Sequence, residues 1–105
     1  MLEIRTYTLA SQDSLNRYAS IHWTRHIASL AQFGITTRHV WKQVRSDAPR
    51  LIALVEYPEG ADPQEVTARY MGSAEFRADM DGFNMADILG VSSVFVEPGL
   101  ADPTD

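Results

Sequence analysis

Leu51-Ile52-Ala53-Leu54-Val55-Glu56-Tyr57 is the stretch on which the fold turns. Its length and its β-branched and aliphatic content read as a strand. Side chains alternate along a strand, so Leu51, Ala53 and Val55 share one side and Ile52 and Leu54 the other. Both sides are apolar. This is a central strand that needs cover on both faces.

Immediately upstream, Ile35 to about Arg45 reads as a second strand, with Ile35, His39 and Trp41 on one side and Val40 and Val44 on the other. Ser46-Asp47-Ala48-Pro49 is a short turn that joins the two strands as an antiparallel hairpin. Residues 2–9 alternate and are rich in Thr, Tyr and Ile, which gives a first strand. Ser11, Asp13 and Ser14 then offer N-caps to a helix reaching about Phe33, with Gly34 just past its C-cap. Leu15, Ala19, His22, Trp23, His26, Leu30 and Phe33 gather on one face of that helix.

Downstream of the hairpin, Asp62-Pro63-Gln64-Glu65 opens a second helix. Asp62 caps it, Pro63 suits the first helical position, and Glu65 can reach back in a capping box. This helix holds Val66, Tyr70 and Met71 before Gly72 interrupts it. Ser73 restarts a turn carrying Phe76, Met80 and Phe83, whose spacing reads as plain core, with Asp79 and Asp81 expected in solvent. A last strand runs from about Leu89 to Val96 and stops at Pro98-Gly99, leaving Leu100–Asp105 as a frayed tail.

The order is βαββαβ. It predicts an α+β, ferredoxin-like sandwich: a four-stranded antiparallel sheet in the order 4-1-3-2, with helices on one face. Residues 1–99 form a single domain on this reading. Two helices cover only one face of the sheet. The simplest cover for the other is a second copy, so the expected partner is the chain itself, as a homodimer through sheet faces.

Composition narrows the function classes. Nine Lys+Arg against fourteen Asp+Glu, with a single lysine, leave no basic stripe for nucleic acid and no attraction to anionic lipid. Cysteine is absent, which excludes disulfides, thiolate catalysis and thiolate-held metals. No apolar run approaches the ~20 residues of a membrane span, and the first residues lack an apolar signal core, so the cytoplasm is the expected location. No phosphate loop, dinucleotide glycine pattern or nucleophile elbow is present.

The residues with chemical potential are few. His22 and His26 sit four apart on the apolar helix face, where an imidazole needs a hydrogen-bond partner or a ligand. Both are candidate proton-transfer groups, weighed against a role as satisfied core histidines. His-x-x-x-His has metal-ligand spacing, but no Glu lies between the two. A third ligand such as His39 or Glu56 would be required, so no metal is expected. Arg5 and Tyr7 share one side of a central strand, where a guanidinium needs a carboxylate or an anionic ligand. Glu56 on the neighbouring strand is the nearest structural partner by sequence, and the functional alternative has Arg5 and Tyr7 orienting a ligand oxygen. Trp41, beside His39, can form the wall of a site for a flat ring or pack against a second copy.

Glu3-Ile4-Arg5-Thr6-Tyr7-Thr8-Leu9, His22-Trp23 with Arg25-His26, Phe33-Gly34-Ile35-Thr36-Thr37 with Trp41, Leu54-Val55-Glu56-Tyr57, Glu75-Phe76-Arg77 with Asp79-Met80, and Gly82-Phe83 together resemble the NIPSNAP family, within the dimeric α/β-barrel superfamily. The resemblance implies two four-stranded sheets closed face to face, with a pocket between sheet and helices in each subunit. Relatives of that fold include cofactor-independent oxygenases, muconolactone-type isomerases and haem-degrading enzymes. NIPSNAP members have no agreed catalytic residues, so no active-site motif carries over, and fold kinship alone assigns no chemistry. The expected function is binding of a small, partly apolar molecule without a resident cofactor, either as an oxygenase or isomerase or as a non-enzymatic binding or interaction module.

Overall fold

Alternation in the first strand sets the whole architecture. In the computed structural model, which describes residues 1–99, β1 (Leu2–Leu9) lies at the centre of a four-stranded sheet ordered β2-β3-β1-β4. The other strands are β2 (Thr36–Lys42), β3 (Arg50–Glu56) and β4 (Ile88–Val96), and every pairing is antiparallel. This is the ferredoxin-like order read from the sequence. The frayed tail expected over Leu100–Asp105 lies outside the described residues.

The helices begin where the sequence supplies caps. Ser11 Oγ accepts from the Ser14 amide and starts α1 (Gln12–Arg17). The chain continues through a single π-helical turn (Tyr18–His22) into α2 (Trp23–Gln32), so the one long helix predicted is interrupted midway. Such π turns are rare and concentrate at functional sites. Gly34, at φ +82°, closes α2, and the Ile35 amide reaches back to the Leu30 carbonyl in a Schellman turn. Asp62 caps α3 (Pro63–Met71), with Pro63 in its first turn, and Ser73 caps α4 (Ala74–Asp79). A 3-10 turn (Met85–Asp87) leads into β4.

All helices lie on one face of the sheet. Leu51, Ala53 and Val55 of β3, with Leu9 of β1, meet Leu15, Trp23 and Leu30 to form the core. Fully burying side chains of this size contributes roughly 1.5–3 kcal/mol each. The opposite face carries Ile4, Ile52, Leu54 and Trp41 with no helix over them.

One parity differs from expectation. The pairing of β2 with β3 slips between Thr37 and His39, where Arg38 forms a bulge. The extra residue inverts the alternation. Ile35 is buried under the helices, whereas His39 and Trp41 face the open side with Ile52 and Leu54.

Candidate functional site

The charged side chains buried on the covered face of the sheet come from β1. Glu3, Arg5 and Tyr7 alternate inward from that strand and are buried, with Arg5 reaching Thr67 of α3 and Tyr7 packed on Tyr18 and Trp23. Arg5 finds its carboxylate two residues away, not on the neighbouring strand. Its Nε donates to Glu3 Oε1 at 2.7 Å, and its Nη2 donates to Tyr57 Oη at 2.5 Å and Thr67 Oγ1 at 3.2 Å. Tyr57 in turn donates to Glu3 Oε1 at 2.6 Å. Glu56, the partner expected from sequence, pairs across with Leu2 and Thr36 and so projects from the open face, where Arg38 takes it. Burial works against ionisation of Glu3, but the hydrogen bonds from Tyr57 and Arg5 and the charge of Arg5 outweigh it. The Glu3 carboxyl is held below the usual range.

A second polar chain crosses the helix layer. Tyr70 donates to Asp79 Oδ2 at 2.5 Å and Ser29 donates to Asp79 Oδ1 at 3.0 Å, so both carboxylate oxygens accept. His26 Nδ1 makes a short hydrogen bond with the Tyr70 hydroxyl and lies 3.5 Å from Asp79 Oδ2. Because the Tyr70 proton is directed at Asp79, Nδ1 of His26 carries the proton that the Tyr70 oxygen accepts. The other ring nitrogen, Nε2, is then an unprotonated acceptor, and it has no hydrogen-bond partner among the described residues. Burial pulls the His26 pKa down to about 4, against the opposing pull of Asp79, so the ring is neutral at pH 7. Burial, followed by the hydrogen bond to Asp79, pushes the Tyr70 hydroxyl up. Asp79 was expected in solvent and is only 5% exposed, because α4 ends with this side chain turned under α2, between Ser29 and Tyr70.

These two polar groups share a cavity of about 570 Å³ between β1, β4 and the helices. Arg5, Tyr7 and His26 line it together, with Tyr18, Trp23 and Tyr70 completing the aromatic wall. Tyr7 packs edge-on against Tyr18 and Trp23, at ring-centroid distances of 5.4 and 6.0 Å. The π turn contributes Tyr18, which the helical periodicity did not single out.

Two candidates fall outside the cavity. His22 is buried, and its Nδ1 donates to the Asp79 main-chain carbonyl at 2.8 Å while its ring packs edge-on against Phe83. That makes it a strut for the end of α4, a position away from the cavity wall. Trp41 lies on the opposite side of the sheet, 46% exposed and stacked on His39 at 4.8 Å, because the Arg38 bulge turns it there. Among the described residues, no three His, Asp or Glu side chains cluster closely enough to hold a metal ion, and no helix is long and apolar enough to cross a membrane.

No protein-family model and no curated protein sequence matches the chain. Solved structures do. An uncharacterized NIPSNAP domain protein from Burkholderia xenovorans superposes with a TM-score of 0.75 at 17% identity, over 97% of each chain. A NIPSNAP family protein of unknown function from Agrobacterium tumefaciens superposes with a TM-score of 0.76 at 16% identity, over 97% of this chain and 90% of that one. A proposed antibiotic biosynthesis monooxygenase from Nitrosomonas europaea gives 0.60 at 14% identity, over 95% of this chain and all of the other. These likenesses show the fold: the chain is an α+β domain of the ferredoxin-like class, with the same architecture as the two NIPSNAP structures.

Proposed function

We propose that the helix–sheet cavity binds a small, partly apolar molecule and that His26 exchanges a proton with it. Proton transfer of this kind is the step shared by cofactor-independent oxygenation and by isomerisation of a carbonyl compound. One observation carries the reading: His26 has Nδ1 committed to Tyr70 and Asp79 while Nε2 is uncommitted on a mainly apolar cavity. A neutral imidazole held in one tautomer has a free lone pair with which to accept a proton, and the carboxylate behind it offsets part of the burial penalty on the imidazolium that forms. Arg5 and Tyr7 line the same space and supply donors for a developing oxyanion. The second partner in this proposal is another copy of the chain, covering Ile4, Ile52, Leu54 and Trp41 on the open face.

A probe with an acidic C–H tests the reading. 2-Tetralone in deuterated buffer should exchange its α-protons faster with the protein present, and His26→Gln should reduce the protein-dependent rate about a hundredfold. Binding of 2-tetralone with equal exchange in wild type and His26→Gln would leave a binding module without proton transfer. No binding by any neutral ring compound, judged by amide shifts of the cavity residues, would remove the reading altogether.

A further inference from the structure

The Glu3–Arg5 pair fixes what kind of oxygen the cavity can take. We propose that Glu3 is a specificity-determining residue that makes the cavity select uncharged carbonyl or hydroxyl compounds and reject carboxylates of the same shape. This rests on the binding role given to the cavity above and adds the charge of the ligand.

Arginine recognises a carboxylate by presenting two parallel N–H groups to its two oxygens. Here that fork is already used. Nε is held by Glu3 Oε1 at 2.7 Å, and Nη2 is shared by Tyr57 Oη at 2.5 Å and Thr67 Oγ1 at 3.2 Å. Only Nη1 is without a hydrogen-bond partner among the described residues. The two N–H groups of Nη1 diverge and cannot form a parallel fork, so they suit single carbonyl or hydroxyl oxygens and leave a carboxylate without its bidentate pairing.

The charges point the same way. Among the described residues lining the cavity, Glu3 and Arg5 carry the two formal charges, and they cancel. The next charge outward is Asp79, one hydrogen bond behind both Tyr70 and Ser29, with its carboxylate facing the His26 side of the wall. Arg25 reaches only the main-chain carbonyls of Asp79 and Asp81, and its side chain is exposed and screened by solvent. An anionic ligand would therefore shed its hydration and enter a space with no uncompensated cation and a carboxylate behind one wall. A neutral carbonyl compound meets none of these costs. It can accept from Arg5 Nη1 at one pole of the cavity and offer a proton to His26 Nε2 at the other.

2-Naphthamide and 2-naphthoate are nearly isosteric and differ by one charge at neutral pH, so their dissociation constants, measured by isothermal titration, separate charge from shape. Wild-type protein should bind the amide at least about tenfold more tightly, and Glu3→Gln, which leaves Arg5 uncompensated, should close or invert that gap. If Glu3→Gln does not fold, Tyr57→Phe, which takes the hydroxyl off Nη2, should narrow the gap in the same direction. Naphthoate binding as tightly as the amide in wild type would overturn the selection while leaving the cavity a binding site. A gap that persists in a folded Glu3→Gln protein would remove Glu3 as its cause. Binding of neither compound would sink the cavity reading, and the selection with it.

Discussion

The two sides of the sheet differ in what they bury and what they leave exposed: charged groups are buried on the covered side, and large apolar groups stand on the open side beside the Arg38–Glu56 pair. The covered face carries Glu3 and Arg5 and meets His26 and Asp79 of the helix layer, all buried, whereas the uncovered face presents Ile4, Ile52, Leu54 and Trp41. Alternation along β1 generates both patterns at once: odd positions carry Glu3, Arg5 and Tyr7 inward, and even positions carry Ile4, Thr6 and Thr8 outward. Buried charge is stabilising only when it is fully partnered, and a core of the same volume in Leu and Phe would be easier to build. A polar covered face therefore carries a cost in stability, which the binding role proposed above would account for. Large apolar groups left on the uncovered face are the surface on which the second copy proposed above would sit. The contrast assigns different work to the two sides, and it can be broken from either one.

The largest effect should come from Asp79. Replacing it with Ala leaves the Ser29 and Tyr70 hydroxyls without their acceptor in a buried site and takes the carboxylate away from His26. Removing one partner of a buried polar set costs about 3–5 kcal/mol. Urea denaturation should register that loss, and a change below 1 kcal/mol on the order expected for surface sites would show that Asp79 is not the anchor of the covered face.

A somewhat smaller effect follows from pH. The His26 pKa lies near 4 in the folded protein, against 6.5 in the unfolded chain, because burial disfavours the imidazolium. The unfolded state therefore takes up the proton first. The contribution is fully present above pH 6.5, declines as pH falls toward 4, and does not change further below that. At about 1.4 kcal/mol for each pH unit of displacement, the loss across this window is about 3 kcal/mol. Glu3 adds a loss of the same sign at lower pH, as its depressed carboxyl is protonated. Stability measured in wild type and His26→Gln separates the two. The difference in slope between pH 6.5 and 4 should vanish in the variant. Identical slopes would mean that His26 is not held neutral by burial.

These features were not equally legible in the sequence. β1, the caps at Ser11, Asp62 and Ser73, and the Gly34 turn are local, encoded within four residues of where they act, and the chain order follows from them. The Arg38 bulge has no such signature. A single inserted residue flips every later side chain of β2, which is why Trp41 reads from sequence as a companion of Ile35 and stands on the other face. Asp79 is a charged residue at the end of a six-residue helix, a position that local reasoning gives to solvent. Its burial depends on Ser29, 50 residues away, and on Tyr70, nine residues away. Arg5 was legible as a buried cation, but its partner was not, because Glu56 is close in the sheet yet of the wrong parity, while Glu3 shares the face by simple alternation. Patterning discloses which face a residue belongs to only while the strand is regular. It does not disclose which residues on that face will meet.

The smallest effect on the subunit, and the sharpest on the comparison, belongs to Trp41. It stacks on His39 at the rim of the open face and fills no core space, so Trp41→Ser should change the stability of an isolated subunit by no more than about 0.5 kcal/mol. Its consequence should lie in assembly. The ring is nearly half exposed alone, and a second copy laid over Ile52 and Leu54 would bury it with them, since paired faces exclude water around large aromatic groups most effectively. Sedimentation equilibrium should find wild type dimeric at micromolar concentration and Trp41→Ser dissociating at least about tenfold more readily, equivalent to about 1.4 kcal/mol at the interface. A wild-type chain that stays monomeric at that concentration would take association away from the open face, and with it the reason this side of the sheet is apolar. A dimer indifferent to Trp41→Ser but abolished by Leu54→Asp would keep the face and move its centre inward, onto the strand whose two apolar sides set the fold.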